Sequence, residues 1–200
     1  MSLRALALLF VLLLPGTASA FDWDLHLRMG SRWITDRQFD LLSETDGVFR
    51  MELGAGAALT ESLTLELDYF FSTTQTLETF GDTTTGFSSN GVSAGLRYSQ
   101  PVSRISSLLV RGGGILEWAS ANLTDPVDEE DFDDEVLLLG VEGTAGWALR
   151  FPLEDATVQI LAEAGYGYFP TKAEFVVGNT RIGSLDLSGP LLRIGGSLHF

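Results

Sequence analysis

Apolar and polar residues alternate along most of the chain, which is the pattern of β-strands that have two unlike faces. Between residues 23 and 33, the odd-numbered positions are mainly apolar and the even-numbered ones mainly polar or charged. Seven later segments repeat the alternation: 49–59, 63–71, 92–98, 108–118, 137–151, 156–168 and 192–200. The pattern therefore predicts an all-β domain of eight strands.

The connections between these strands alternate in length. Three are short, at 60–62, 100–107 and 152–155, and four long polar stretches lie between them, at roughly 34–47, 72–90, 119–135 and 170–190. Short turns at one end and long loops at the other predict an up-and-down antiparallel meander, with both chain termini at the short-turn end. In the last long stretch, Gly178-Asn179 predicts a hairpin, and the shifted parity of Leu185 and Leu187 predicts a β-bulge near Gly189-Pro190.

The first twenty residues have the features of a secretory signal. Arg4 precedes an unbroken apolar run from Ala5 to Leu14, and Ala18-Ser19-Ala20 offers a cleavage site. The run is too short to cross a bilayer of about 30 Å, which disfavours the alternative of a membrane anchor. We expect a signal peptide at 1–20 and a single domain at 21–200.

The charges of the strands decide between two kinds of barrel. A soluble lipocalin-like barrel turns its apolar face inward, whereas a transmembrane barrel turns it toward lipid and must close. The polar face of the strands carries balanced charge, which can pair inside a lumen: Arg28, Arg50, Glu52, Glu66, Asp68, Arg97, Arg111, Glu117, Glu142, Arg150, Glu163 and Arg193. The alternative, a solvated outer face, is normally rich in lysine, but Lys172 is the only lysine and lies outside the strands.

Aromatic residues collect near the strand ends, as in the two girdles of a membrane barrel. The long-loop end has Trp33, Tyr69, Trp118, Tyr166 and Tyr168, and the other end has Trp23. The last strand alternates up to Leu198 and Phe200, and this ending resembles the C-terminal targeting signal of bacterial outer-membrane barrels.

Together, the signal peptide, the eight strands and the terminal Phe200 resemble the small OmpA/OmpX/OmpW-like barrels of the bacterial outer membrane. The resemblance lies in the pattern rather than in a residue motif. It implies a closed eight-stranded antiparallel up-and-down transmembrane β-barrel in that membrane, in contact with lipid and lipopolysaccharide and inserted by the barrel assembly machinery. It implies no catalytic residue.

Net charge and composition limit the classes of partner that the protein can bind. The 200 residues carry a formal net charge of −15 and include no cysteine. Nucleic acid is thereby disfavoured, since phosphate binding needs a basic face, and thiol chemistry is excluded. The sequence indicates no cofactor.

An acidic run in the third long stretch is a weak metal candidate: Asp128, Glu129, Glu130, Asp131, Asp133 and Asp134. It lacks the spacing of an EF-hand. We expect a solvated loop that attracts divalent cations diffusely beside lipopolysaccharide.

Two features invite a catalytic interpretation. Gly91-Val-Ser93-Ala-Gly95 matches the G-x-S-x-G motif, but it lies inside a strand with no helix after it, so a nucleophile elbow is not expected. His26 and His199 both point to the polar side near the short-turn end, where they form either a shared metal or acid–base pair or a hydrogen-bonded closure contact.

Three functions remain for such a barrel. We expect a structural or surface-interaction protein whose long loops carry recognition and whose lumen is plugged by its charges. The alternative is an OmpW-like narrow conduit for small hydrophobic molecules, since Phe70, Leu109, Ile115, Leu138, Leu161 and Phe169 point inward. The third, a lipid-A-modifying enzyme, is disfavoured because neither histidine faces the outer leaflet.

Overall fold

The computed structural model describes residues 22–74, 77–78, 84–125, 130–177 and 180–200. The strands are β1 (Trp23–Trp33), β2 (Gly47–Ala58), β3 (Leu63–Thr73), β4 (Leu77–Glu78), β5 (Thr84–Ser103), β6 (Ser106–Asp125), β7 (Glu130–Pro152), β8 (Thr157–Tyr168), β9 (Ala173–Val177), β10 (Thr180–Leu185) and β11 (Gly189–His199), with a 3₁₀ helix, η1, at Arg37–Leu41. The predicted signal peptide lies outside the described residues and stays a prediction.

Eight strands close into a barrel, as the alternation predicts. The sheet order is β3-β2-β1-β11-β8-β7-β6-β5, and β5 pairs with β3 to complete the ring. Every neighbouring pair is antiparallel. The first and last strands meet along Asp24↔His199 to Arg32↔Leu191, so the two ends of the chain seal the barrel.

The two faces of the wall are opposite in character. Large apolar side chains on the outside are exposed, for example Leu53 at 64%, Leu139 at 66% and Ile194 at 57%. The alternate positions are buried in the lumen, where Arg28, Glu52 and Glu66 are each 0% exposed. This distribution is the reverse of that of a soluble barrel. Among the described residues, no helix combines the length and apolarity needed to span a membrane.

Three strands are much longer than their sequence pattern predicts. β5, β6 and β7 have 20, 20 and 23 residues, whereas the other strands of the ring have 11 or 12. The interpretation of 72–90 and 119–135 as loops is therefore wrong over 72–73, 77–78, 84–90, 119–125 and 130–135. Residues 84–90, 119–125 and 130–135 form the upper parts of β5, β6 and β7, which we call the protruding sheet.

The fourth long stretch also contains strand. β9 and β10 form a separate two-stranded hairpin, with Val177 paired to Thr180 around the predicted turn, while Gly178 and Asn179 themselves lie outside the described residues. The predicted bulge near Gly189-Pro190 is wrong, because β11 pairs continuously with β8 from Gly189 onward. Leu185 is instead the last residue of β10, Leu187 lies between β10 and β11, and both are 0% exposed.

Candidate functional site: the charge network of the lumen

The lumen is filled by side chains that carry charge of both signs, and Glu66 on β3 is one of its centres. Its carboxylate contacts three guanidinium groups: Arg28 at 2.7 Å, Arg97 at 2.7 Å and Arg111 at 2.8 Å. These arginines come from β1, β5 and β6. Since each side chain is at most 3% exposed, the charges are neutralised by one another rather than by water.

Glu142 on β7 is the second centre. It contacts Arg193 at 2.6 Å, Arg111 at 2.9 Å and Arg50 at 3.2 Å. Arg193 and Arg50 also both reach Glu52, at 2.7 Å each. Because Arg111 contacts both Glu66 and Glu142, it joins the two centres into one connected set of charges across the lumen, which we call the charge network.

The upper part of the lumen combines charge with aromatic rings. Arg32 makes a two-pronged contact with Glu117, at 2.7 and 3.0 Å, and Ser89 donates to the same carboxylate at 2.7 Å. The guanidinium of Arg32 lies 5.0 Å from the ring centre of Phe169, and that of Arg50 lies 3.7 Å from Phe70. These cation–π contacts connect the charges to the apolar residues above them.

His26 bridges two carboxylates at the lower end of the charge network. Its Nδ1 lies 2.7 Å from Asp24 and its Nε2 lies 2.5 Å from Asp68. A neutral imidazole has only one N–H, so two ionised carboxylates at these positions require the doubly protonated ring. Gly54 leaves the space for this contact, because a Cβ at that position would overlap both Asp68 and His26.

All twelve predicted network residues point into the lumen, but Arg150 and Glu163 differ from the rest. Glu163 lies 3.3 Å from Arg193 and 3.9 Å from Arg28, which is a looser arrangement than that of the other acids. Arg150 donates to Ser99 at 2.7 Å, and no carboxylate contact to it is found among the described residues. The presence of an arginine on the polar face of a strand is therefore not sufficient to predict that it pairs with a carboxylate.

Sequence reasoning did not assign three members to the charge network: Asp24, His26 and Arg32. All three lie on the polar parity of β1, which is the signal that could have placed them with the others. Including them, the described lumen has seven carboxylates (Asp24, Glu52, Glu66, Asp68, Glu117, Glu142 and Glu163) and seven guanidinium groups (Arg28, Arg32, Arg50, Arg97, Arg111, Arg150 and Arg193). The equal numbers of acidic and basic side chains predicted for the polar face are therefore retained when all the described lumen residues are counted.

Ser93 and the two histidines do not form a catalytic arrangement in the described structure. Ser93 is 2% exposed, donates to Asp68 at 3.0 Å and accepts from Arg111 at 3.0 Å. His199 contacts Ser197 at 3.0 Å, and its Nδ1 lies 3.8 Å from Asp24. Asp24, His26 and Glu66 lie close enough to hold a metal ion, but Arg28, Arg97 and Arg111 already occupy these carboxylates with positive charge.

An apolar cluster closes the lumen above the charges, and we call it the apolar cap. It joins the wall residues Phe70, Ile115 and Leu138 to residues from η1, β9, β10 and the segments beside them: Ile34, Phe39, Leu42, Ala173, Phe175, Leu185 and Leu187. The rings of Phe39 and Phe87 meet edge to face, with centroids 5.4 Å apart. Leu109 and Leu161 form a smaller cluster with Ala148 lower in the lumen.

Asp36 fastens the apolar cap at its edge. Its carboxylate accepts hydrogen bonds from the backbone N–H of Asp186 at 2.9 Å and of Gln38 at 3.1 Å, and thereby caps η1. The backbone N–H of Asp186 stabilises the ionised form and, despite partial burial, holds the pKa of the Asp36 carboxyl below its ordinary value. The contact links the first long loop to the chain beside β10.

The predicted girdle and C-terminal residues lie on the outer face or at its ends. Trp33, Tyr69, Tyr166 and Tyr168 are 40–54% exposed there, while Trp23 and Trp118 are half-buried. Leu198 is 39% exposed on the same face. Phe200 exchanges two backbone hydrogen bonds with Trp23, at 3.0 and 3.1 Å, so the final residue takes part in closing the barrel.

The acidic metal candidate is described only in part. Asp128 and Glu129 lie outside the described residues, whereas Glu130, Asp131, Asp133 and Asp134 lie on β7 of the protruding sheet rather than in a loop.

Solved structures with this architecture define the class to which the fold belongs. Neisserial surface protein A matches 90% of this chain over 97% of its own, with 15% identity and a TM-score of 0.56. Ail, the attachment invasion locus protein of Yersinia pestis, matches 90% over 99% with 10% identity and a TM-score of 0.53. A major outer membrane protein from Thermus thermophilus matches 89% over 99%, with 14% identity and a TM-score of 0.53.

The fold is therefore that of the eight-stranded transmembrane β-barrels of the outer membrane, as the sequence pattern predicts. At identities of 10–15%, the similarity to these structures shows a shared fold. No protein-family model matches the chain, and no curated protein matches it in sequence.

Proposed function

We propose that the protein is an integral barrel of the bacterial outer membrane whose protruding sheet binds an extended, positively charged partner at the cell surface. The exposed apolar wall supports a lipid environment, and the fold supports insertion by the barrel assembly machinery. In this setting the short-turn end faces the periplasm and the protruding sheet stands above the lipopolysaccharide surface. The observation that carries the surface role is an unpaired strand edge on β7.

The edge is long and lies outside the ring. β7 pairs with β6 from Glu130 to Leu149, but it pairs with β8 only from Val141 to Pro152. Among the described residues, β7 therefore pairs with a strand on one side alone from Glu130 to Gly140, over roughly 36 Å at about 3.3 Å per residue. The β9–β10 hairpin contacts β7 without pairing to it and forms its own sheet. A strand edge without a hydrogen-bonded neighbour can accept an added strand.

The charge of the edge defines the partner. Five of the six residues from Glu130 to Glu135 are acidic. A second copy of the chain would bring the same charges and be repelled, whereas a basic extended segment would be attracted and steered toward the edge. Ail has also been solved in complex with the heparin analogue sucrose octasulfate. A polysulfated ligand would be repelled by this edge, so we propose a partner of opposite charge.

A binding measurement with the intact barrel in nanodiscs tests the proposal. The probe is a fluorescent peptide of alternating Lys and Thr, and its anisotropy reports binding. Combined Asp131→Asn, Asp133→Asn and Glu135→Gln substitutions should weaken binding by about tenfold or more, because they remove three charges and preserve shape. The matched control, Glu154→Gln with Asp155→Asn, removes acids from a short turn at the other end and should change little.

A second probe separates strand addition from simple charge attraction. A peptide with the same number of lysines but with prolines at alternate positions cannot donate the backbone hydrogen bonds of an added strand. We expect it to bind much more weakly than the Lys–Thr peptide. Equal binding of the two peptides, or equal loss in both sets of variants, would contradict the surface function.

We also propose that divalent cations bind diffusely to the acidic run. Mg²⁺ or Ca²⁺ would gather near these carboxylates and bridge them to the anionic groups of lipopolysaccharide. We expect millimolar Ca²⁺ to raise the melting temperature of the barrel in lipopolysaccharide-containing bilayers. An unchanged melting temperature together with unchanged amide exchange in 130–135 would contradict this part.

The filled lumen supports a plugged barrel. A cavity of about 10 Å³ between Arg32, Arg50 and Glu142 has room for about one water molecule. The inward apolar residues that favoured a hydrophobic conduit are instead packed into the apolar cap and the cluster below it. We propose that the closed barrel passes no solute, and planar-bilayer recordings should show no discrete conductance steps. Regular steps in the purified wild type would contradict the plug.

A further inference from the structure

Arg150 stands apart from the other arginines of the lumen. Each of the other six lies within 2.7 Å of a carboxylate oxygen, whereas no carboxylate contact to Arg150 is found among the described residues. Its Nη2 donates to Ser99 at 2.7 Å, and its Nε is buried with no partner. Arg150 thus has unused hydrogen-bonding capacity and an uncompensated positive charge.

A second guanidinium lies near Arg150. It belongs to Arg97 and interacts electrostatically with Arg150. The carboxylate in this part of the lumen, Asp24, is already in contact with Arg97 at 2.6 Å and with His26 at 2.7 Å. Within the described lumen, the short-turn end therefore has two guanidinium groups, Arg97 and Arg150, and one carboxylate, Asp24, which Arg97 and His26 already share.

Neutral donors adjoin the guanidinium. Arg150 on β7 reaches Ser99 on β5, and Ser107 lies on the intervening strand, paired with Ala148 on one side and Pro101 on the other. Ser107 is 0% exposed, and its hydroxyl has no hydrogen-bond partner within the part of the chain that the structure describes. On the other side, Gln159 is the direct cross-strand neighbour of Arg150. A buried hydroxyl without a hydrogen-bond partner, on the strand beside a guanidinium that lacks a carboxylate partner, is the second observation that indicates a ligand.

We propose that the short-turn end of the lumen is a binding site for a phosphate-type oxyanion, held by Arg150 and Ser107. The guanidinium presents several N–H donors in a planar fork that matches two oxygens of a tetrahedral anion, and the hydroxyl supplies a further donor. Arg150 is half-buried, so a ligand reaches it from the short-turn end while the charges above remain closed off. The phosphate comes either from solution or from a phospholipid headgroup. The site lies at the opposite end from the protruding sheet and does not depend on the surface function.

Titration of the folded barrel with inorganic phosphate tests the site. The barrel is held in a maltoside detergent, which contains no phosphate, and chloride keeps the ionic strength constant. Calorimetry should detect saturable binding of phosphate to the wild type, and Arg150→Gln should weaken it by about tenfold or more. Ser107→Ala should weaken it by a smaller, measurable factor.

Arg104→Gln is the matched control, because Arg104 is exposed in the adjacent turn and its loss removes the same charge from the same end. It should leave phosphate affinity within about twofold of the wild type, since rim charges act mainly through long-range attraction. Equal weakening by Arg150→Gln and Arg104→Gln, or no saturable binding in the wild type, would overturn the site. Unboiled gel mobility verifies that each variant is folded.

A comparison of two environments identifies the source of the phosphate. If free phosphate is the ligand, the wild type should bind it equally in maltoside and in phosphatidylglycerol nanodiscs. If a lipid headgroup occupies the site, binding of free phosphate should be lost in the nanodiscs and present in maltoside. Both results require Arg150 and support the proposed chemistry.

Discussion

A buried charge in this barrel is stabilised by several partners rather than by one. Glu66 is 0% exposed and contacts three guanidinium groups, and Arg111 in turn contacts Glu66, Asp68 and Glu142. Removing one member leaves its partners without compensation in a site that water does not reach, which costs far more than the loss of a surface ion pair. The individual residues of the charge network are therefore coupled.

We predict that Glu66→Gln destabilises the barrel by about 3–5 kcal/mol, because it leaves the charges of Arg28, Arg97 and Arg111 partly uncompensated. The measurement is the free energy of unfolding in urea, followed by the gel mobility of unboiled samples in lipid vesicles. Glu154→Gln is the control, since Glu154 is exposed in a short turn. A loss no larger than that of the control would mean that water enters the lumen and screens the arginines.

At the scale of elements, the first long loop and the β9–β10 hairpin depend on each other. Asp36 caps η1 through Gln38 and also accepts from the backbone of Asp186, 150 residues further along the chain. Both segments place apolar side chains, including Phe39 and Leu185, in the apolar cap. Since burial stabilises these side chains together, the loop and the hairpin should open as one unit.

We predict that Asp36→Ala increases local opening of the apolar cap by a free energy of about 1 kcal/mol, the usual cost of a lost N-cap. Hydrogen exchange should show faster exchange at Gln38 and Asp186 together. Asp40→Ala is the matched control, because Asp40 lies in the same short helix and is exposed. Faster exchange at Gln38 alone would show that the loop and the hairpin open separately.

The same contact should make the apolar cap sensitive to acid. The folded-state pKa of Asp36 is below its unfolded value, so its stabilisation is fully present above the unfolded pKa and is lost as pH falls through the folded pKa. We predict increased opening at Gln38 and Asp186 over this acidic range in the wild type. Asp36→Asn cannot titrate and should open to the same extent throughout that range. A parallel pH dependence in the variant would assign the effect to another group.

The elements differ in how well the sequence predicts them. Strands in contact with lipid, such as β1 and β8, have a strong contrast between apolar and charged positions, and their bounds are predicted to within a residue. The upper parts of β5 and β6 face water on the outside. Their alternating residues are small and polar, as in Ser88, Asn90 and Asn122, so periodicity could not distinguish them from loop.

The interior of the candidate site is predictable in membership but not in pairing. Parity alone places Glu66 and Arg111 in the lumen. That Glu66 contacts arginines on β1, β5 and β6 depends on the stagger between strands and on long side chains that cross the lumen, and neither is encoded in one strand's pattern. Arg150 shows the limit of prediction from parity. Its place on the polar face of β7 predicts an ion pair, but the strand register places Arg150 beside Ser99 and Gln159.

For the whole molecule, the outer wall requires a hydrocarbon environment. Leu67 lies midway along β3 and is 45% exposed on the outer face, while Leu59 is 49% exposed at the short-turn end. The two leucines thus have similar exposure but different depths. They allow the orientation of the barrel in a bilayer to be tested with a single type of substitution.

We predict that Leu67→Arg destabilises the barrel in phospholipid vesicles by about 2–4 kcal/mol, and that Leu59→Arg costs about 0–1 kcal/mol, since the penalty for arginine falls from the bilayer centre to the interface. Unfolding in urea measures both. Similar effects of the two substitutions, or a wild type that stays folded and monomeric without detergent or lipid, would contradict a transmembrane barrel.

The distribution of ion-pair partners along the chain has a consequence for closure of the barrel. Glu142 is bound by Arg50 from β2 and by Arg193 from β11, so its contacts span nearly the whole polypeptide. A chain without β11 would retain Glu52 and Glu142 but lack Arg193, the guanidinium that contacts both. The last strand therefore completes the ring of backbone hydrogen bonds and the charge balance of the interior in a single step.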